Sequence, residues 1–179
     1  IIFLCVVQLI IYLRVNGYSM IYKNFSSYGT IYFIFSTLSL VVFHDFYFYL
    51  THRMMHHKNL FFIHRRHHKS INPTPWAAFS FGPIEAVIQI AWIPFAVCIV
   101  PLHFYALMLW SLYMIVMNVI GHLGYEIYPK NFLQSFFGNI FLCSTHHNIH
   151  HSRSNTNFGL YFRFWDRLLE TEDVNYIST

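Results

Sequence analysis

Apolar residues in this chain come in long runs, without the three-to-four-residue spacing that marks a helix with one water-facing side. From Asn24 to His44 there are 21 residues without Asp, Glu, Lys or Arg, and from Ala86 to Tyr125 there are 40. A helix rising about 1.5 Å per residue needs about 20 apolar residues to cross a bilayer, so the longer run has the length of two crossings. Pro101 interrupts it at Ile-Val-Pro-Leu-His, which predicts a tight helical hairpin with legs near 84–100 and 104–121. A helix over about 30–52 and an opening run from Ile1 to Leu13, expected to be truncated upstream, complete four apolar segments. Phe132 to Cys143 is apolar as well but only 12 residues long, which predicts an interfacial or re-entrant helix.

Composition supports this pattern. Charged residues make up 10% of the 179, against roughly 25% in an ordinary soluble domain. Disorder is excluded, because it requires low hydrophobicity and high net charge. A net charge of +4 does not make a nucleic-acid module of a chain with 20 Phe, 13 Tyr and 4 Trp spread along its length. Cys5, Cys98 and Cys143 lie far apart in apolar stretches, a poor framework for disulfides or for a thiolate metal site. Basic residues set the orientation: Arg53, Lys58, Arg65, Arg66 and Lys69 follow the second segment, and Lys130, Arg153, Arg163 and Arg167 follow the fourth. The hairpin turn carries none, so both basic stretches are expected on the cytoplasmic side, with Arg14 and Lys23 counting weakly against it.

Histidine is the unusual component. There are 13, more than the 11 Lys and Arg together, and all but His44 and His103 fall in or beside the two basic stretches. On a helix, residues i, i+3 and i+4 share a face. His52 and His56 have that relation, as do His64, His67 and His68, and His147, His150 and His151; His122 stands alone after the fourth segment. Nine such ligands exceed the four of one tetrahedral zinc and suit two metals with four or five nitrogens each. Imidazole accepts iron, zinc, copper or nickel, so spacing alone does not choose the metal.

In their order, H-x-x-x-H, H-x-x-H-H, an isolated His and a second H-x-x-H-H, these motifs resemble the fatty acid hydroxylase superfamily, which includes sterol desaturases, 4-methylsterol oxidases and sphingolipid fatty-acid hydroxylases. The resemblance runs from about His44 to Asp173. Asp45 and Tyr49 precede His52-Arg53 as in the family's first box, and His122-Leu-Gly-Tyr-Glu126 is similar to its H-x-G-Y-acid segment. Asn157-Phe-Gly-Leu-Tyr and Trp165-Asp166-Arg167-Leu-Leu-Glu-Thr resemble its closing signatures, with Glu170 where a Gly is usual. Acyl hydroxylases of the family carry a further His at the position of Asn118; His57 and His146 are the candidates to replace that tenth ligand.

The resemblance implies an all-α fold: an integral membrane four-helix scaffold with a cytosolic helical cap holding a histidine-rich dimetal site. Residues 1–43 would be N-terminal membrane segments, 44–174 the hydroxylase-like domain and 175–179 a tail. It also implies His52, His56, His64, His67, His68, His122, His147, His150 and His151 as ligands of two iron ions, with zinc as a form some purified members hold. Asp45, Asn118, Glu126 and Asp166 are candidates to orient those rings from behind. The implied chemistry is O2-dependent attack on an unactivated C–H bond of a lipid, ending in hydroxylation, desaturation or oxidative demethylation. No nicotinamide or flavin motif is present, so electrons are expected from a separate carrier protein. The host bilayer would be a bacterial inner membrane or the endoplasmic reticulum. A non-redox metal protein, such as a zinc hydrolase or a metal transporter, is the alternative; the absence of H-E-x-x-H and the few polar residues in the apolar segments weigh against it.

Overall fold

The computed structural model describes residues 1–173; the expected tail at 175–179 and residue 174 lie outside the described residues. All regular structure among them is helical, and the only strand-like pairings are the isolated bridges Tyr22–His103 and Phe141–Phe162. The helices are α1 (Ile2–Val15), α2 (Gly29–Met55), α3 (Phe61–His64), α4 (Pro83–Ile90), α5 (Trp92–Ile99), α6 (Phe104–Gly121), α7 (Ser144–Arg153) and α8 (Phe164–Leu168). Two of them, α2 and α6, are long and apolar enough to cross a membrane. The first and third apolar segments form shorter helices. The third is divided at Ala91, three residues before Pro94, whose missing N–H cannot continue the helical ladder.

The chain forms two compact units. The first comprises Ile1–His44 and Pro83–Met114. Here α1 packs on α4 and α5, and the hairpin turn is tied down by the Tyr32 hydroxyl, which donates to the Pro101 carbonyl at 2.9 Å. Trp92 and Trp110 are buried and close on the His44 ring at 5.4 and 5.0 Å between centroids. His103, the other unclustered histidine, is fully buried among Tyr22, Phe25 and Phe33. Apolar side chains such as Ile31, Leu38, Phe95 and Leu112 are exposed, each by more than half its surface. Such an exterior is what lipid-facing helices present.

The second unit comprises Asp45–Gly82 and the chain from Ile115 onward, and its core is polar. Between α6 and α7 the expected helix over Phe132–Cys143 does not form; the segment is a series of turns. Ser135 and Gly138 explain the difference. The Ser135 hydroxyl donates to the Phe132 carbonyl and accepts from the Gly138 N–H, folding the backbone so tightly that a Cβ at Gly138 would collide with that carbonyl. Arg163 then crosses beneath the turns, fully buried, and donates to the Gly138 carbonyl and the Glu172 carboxylate. The three cysteines are free thiols.

Candidate metal centre

Four stretches of backbone bring histidines together in the second unit, one of them the residue just past α6, His122. α2 ends at Met55, so His52 lies in its last turn and His56 just beyond. His64 closes α3, and His67 and His68 open a short 3-10 turn, so this box is not one continuous helix face. His147, His150 and His151 do share a face of α7. The N-terminus of α7 is capped from outside by Glu126, whose Oε2 accepts from the Thr145 N–H at 3.0 Å and the Thr145 hydroxyl at 2.8 Å. A carboxylate there satisfies an otherwise unpaired amide and faces the positive end of the helix dipole. Burial alone would raise the Glu126 pKa, but the hydrogen bonds from Thr145 and Tyr128 outweigh it and hold the carboxyl below its ordinary value.

Nine imidazoles converge into two groups. His52, His56, His64, His68 and His150 form one, and His67, His122, His147 and His151 the other; within each, one ring nitrogen per residue lies within 4.8 Å of the rest. The groups adjoin, with His64 against His67 at 5.0 Å between ring centroids and His68 against His151 at 4.7 Å. All nine are ligand candidates from the sequence, divided five and four.

Hydrogen bonds fix the tautomers. A carbonyl oxygen only accepts, so a ring nitrogen beside one must carry the proton. Nδ1 of His52, His122, His150 and His151 donates in this way to the carbonyls of Phe158, Asn118, Thr156 and Ser70, at 2.7–2.9 Å. Burial keeps the rings neutral. It lowers the His56 and His122 pKa values to about 4 and those of His68 and His151 to about 3, and pushes His64, His67, His147 and His150 well below the usual range. A neutral ring has one proton, so Nε2 of His122 and His151 are both bare lone pairs, yet they face each other at 3.2 Å. Two lone pairs at that distance repel; a cation between them turns both into ligands. The donor set therefore fits a metal, and all-imidazole ligation suits iron or zinc.

Of the four residues expected to orient the rings, Asp45, Glu126 and Asp166 grip backbone, and Asn118 meets a ring through its own carbonyl. Asp166 accepts from the Phe158 and Gly159 N–H groups and the Thr171 hydroxyl, all at 2.8 Å, and so holds the loop whose Phe158 carbonyl receives His52. A Cβ at Gly159 would come within 2.9 Å of that carboxylate, which is why this position of the Asn-Phe-Gly segment takes glycine. Burial pushes the Asp166 pKa up to about 6 against those hydrogen bonds. Asp45 accepts from the Tyr161 N–H at 2.6 Å, and Asn118 meets His122 through its backbone carbonyl while its side-chain amide donates to Ala78 at 2.7 Å. His57 and His146 belong to neither group. His57 is exposed, and His146 is buried with Nε2 3.8 Å from Asp166. One orienting side chain lacks a sequence signal: the Ser154 hydroxyl, 3.2 Å from His68 Nδ1, sits at the left-handed residue that ends α7.

Comparisons with known proteins identify the family. The family model described as fatty acid hydroxylase matches residues 37–171. A Delta(7)-sterol 5(6)-desaturase of Gibberella zeae is 31% identical over 154 residues, covering 86% of this chain and 46% of the relative. Lathosterol oxidase of Rattus norvegicus is 32% identical over 163 residues, covering 87% and 52% respectively. The chain thus spans about half the length of the curated relatives it matches. No solved structure matches it at a significant level.

Proposed function

This chain belongs to the fatty acid hydroxylase family, and from that premise we propose that it is a membrane-bound non-haem di-iron oxidase of a lipid. The observation that carries the proposal is the pair of adjoining imidazole groups, five and four, within each of which one ring nitrogen per residue lies within 4.8 Å of the rest. His52, His56, His64, His68 and His150 would hold one iron, and His67, His122, His147 and His151 the other. When bound, the two irons would supply O2 activation and an oxidant strong enough to remove hydrogen from an unactivated C–H bond. Electrons would come from a separate carrier.

The chain's own residues supply the rest. Carbonyls of Phe158, Asn118, Thr156 and Ser70 hold protons on Nδ1, which keeps Nε2 free for metal through each cycle. Burial excludes water and keeps the rings neutral, so the positive charge of the pair is not cancelled by the protein. Glu126 and Asp166 position the two backbone stretches, α7 and the loop at Phe158, on which four of the ligands depend.

We place the hydroxylase-like domain at 44–174, behind N-terminal membrane segments in 1–43. The four apolar segments would form the membrane scaffold, with the histidine-rich face cytoplasmic as the basic residues direct. The relatives named above act on sterols, so a sterol or similarly rigid lipid is the first substrate class to assay, and introduction of a double bond the first reaction. Metal analysis of the detergent-purified chain is expected to give about two metals per chain, with iron in the active form. Lipid profiles of cells expressing the wild type or His150→Ala should differ by one oxidised lipid. Zinc alone, with no change in any lipid, would instead support the non-redox alternative.

A further inference from the structure

Beside the histidine groups, on the segment that carries His64, His67 and His68, an open cleft of about 470 Å³ is lined by Arg65, Arg66, Lys69, Ser70 and Ser80. Three other arginines near the centre have carboxylate partners: Arg153 pairs with Asp173, and Arg163 and Arg167 with Glu172, while Arg53 donates to the Tyr49 hydroxyl. The three cations of the cleft have none among the described residues. Apart from Glu170, the acidic residues of this unit are engaged elsewhere. Two arginines, a lysine and two serines around one opening carry the donor types that recognise a tetrahedral oxyanion.

The turn that ends at Ser80 adds a second property. It carries Trp76, 90% exposed, and Phe79, and Ile71 next to Ser70 is 68% exposed. Large apolar rings held out beside unpaired cations match the boundary between phosphate and hydrocarbon, where tryptophan concentrates. An acidic protein surface or free phosphate would satisfy the charges and leave these side chains in water.

We propose that this cleft binds the phosphate of an anionic membrane lipid, with Trp76 and Ile71 seated among its acyl chains. The inference rests on the membrane placement proposed above and is independent of which metal is bound. Headgroup and metal centre meet at one residue, because the Ser70 carbonyl is the acceptor that orients His151.

The test uses the full chain in a neutral detergent, titrated with dioctanoyl phosphatidylglycerol, dioctanoyl phosphatidylcholine and inorganic phosphate, and followed by calorimetry. Phosphatidylglycerol should bind at least about tenfold more tightly than either alternative, and the combined substitution R65Q/R66Q/K69Q should weaken it roughly a hundredfold. If the triple variant fails to fold, R65Q and K69Q singly should each weaken it about fivefold. Trp76→Ala should weaken phosphatidylglycerol and leave phosphate unchanged. Equal binding of phosphatidylcholine, equal binding of inorganic phosphate, or indifference to the substitutions would each overturn the proposal. Metal content measured on the same samples separates these outcomes from failure of the di-iron reading.

Discussion

His103 and His122 are both buried histidines with backbone partners, and they have opposite capacities. At His103, Nδ1 accepts the Tyr105 N–H and Nε2 donates to the Lys23 carbonyl, so the backbone uses both nitrogens. At His122, Nδ1 donates to the Asn118 carbonyl, and Nε2 faces those of His67, His147 and His151 at 3.0–3.2 Å. The first ring is a fastener for the chain entering α6. The second leaves a bare nitrogen turned toward three other rings. A buried imidazole becomes a metal ligand when the protein takes one nitrogen as a donor and leaves the other without a proton.

The comparison breaks most sharply by substitution at the two positions. His122→Ala should lower bound metal from about two to about one per chain or less and abolish lipid oxidation, since three other rings converge on its Nε2. His103→Asn should leave metal content intact and lower only the melting temperature. Metal loss in both, measured by elemental analysis, would undo the distinction.

Acid should separate the regions next. Burial lowers the pKa values of His56, His68, His122 and His151 to about 3–4, whereas in the unfolded chain they titrate near 6.5. Below about pH 6.5 the unfolded state binds protons that the folded state refuses. Stability of the metal-free protein is therefore full above that pH and falls as pH drops toward 4. Melting at pH 7.5 and 5.5, after chelation, should show the loss; metal should reduce it, by occupying the lone pairs that protons seek.

Smaller effects probe the residues behind the ligands. Asp166→Asn replaces one acceptor oxygen with a donor among three hydrogen-bond donors, and should weaken metal affinity about 10- to 100-fold by loosening the Phe158 carbonyl from His52. Competition with a chelator would measure it. Smallest of all, Glu170→Gly should stabilise the protein by about 1 kcal/mol, because Glu170 is exposed and held at φ +54°, a conformation costly for a side chain with a Cβ. Thermal melting checks the sign.

These cases also mark what the sequence discloses. Eight of the nine converging rings are legible from intervals of three and four residues, even where, as at His64–His68, the helix is interrupted, while the isolated His122 is legible only through the family resemblance. The acceptors that set the tautomers are not legible, because Phe158, Thr156 and Ser70 act through carbonyls that every residue possesses. Asp45, Glu126 and Asp166 stand out as charges in an apolar chain, yet each grips backbone instead of an inward-facing ring. Apolarity alone suggested a helix at Phe132–Cys143, where a serine and a glycine set the path. The left-handed φ of Glu170 accounts for the glycine that the family's signature has there.

The division of ligands along the chain also bears on the order of assembly during synthesis. Four of the five rings of the first group, His52, His56, His64 and His68, emerge before residue 70, and only His150 must arrive from α7. The second group has only His67 by then, gains His122 after α6, and waits for both His147 and His151. A nascent chain stalled before Ser144 already carries a nearly complete binding set for one ion and half a set for the other. The two groups are thus unequal in history: one is nearly complete while the ribosome is still at work, and the other gains half of its rings only with α7.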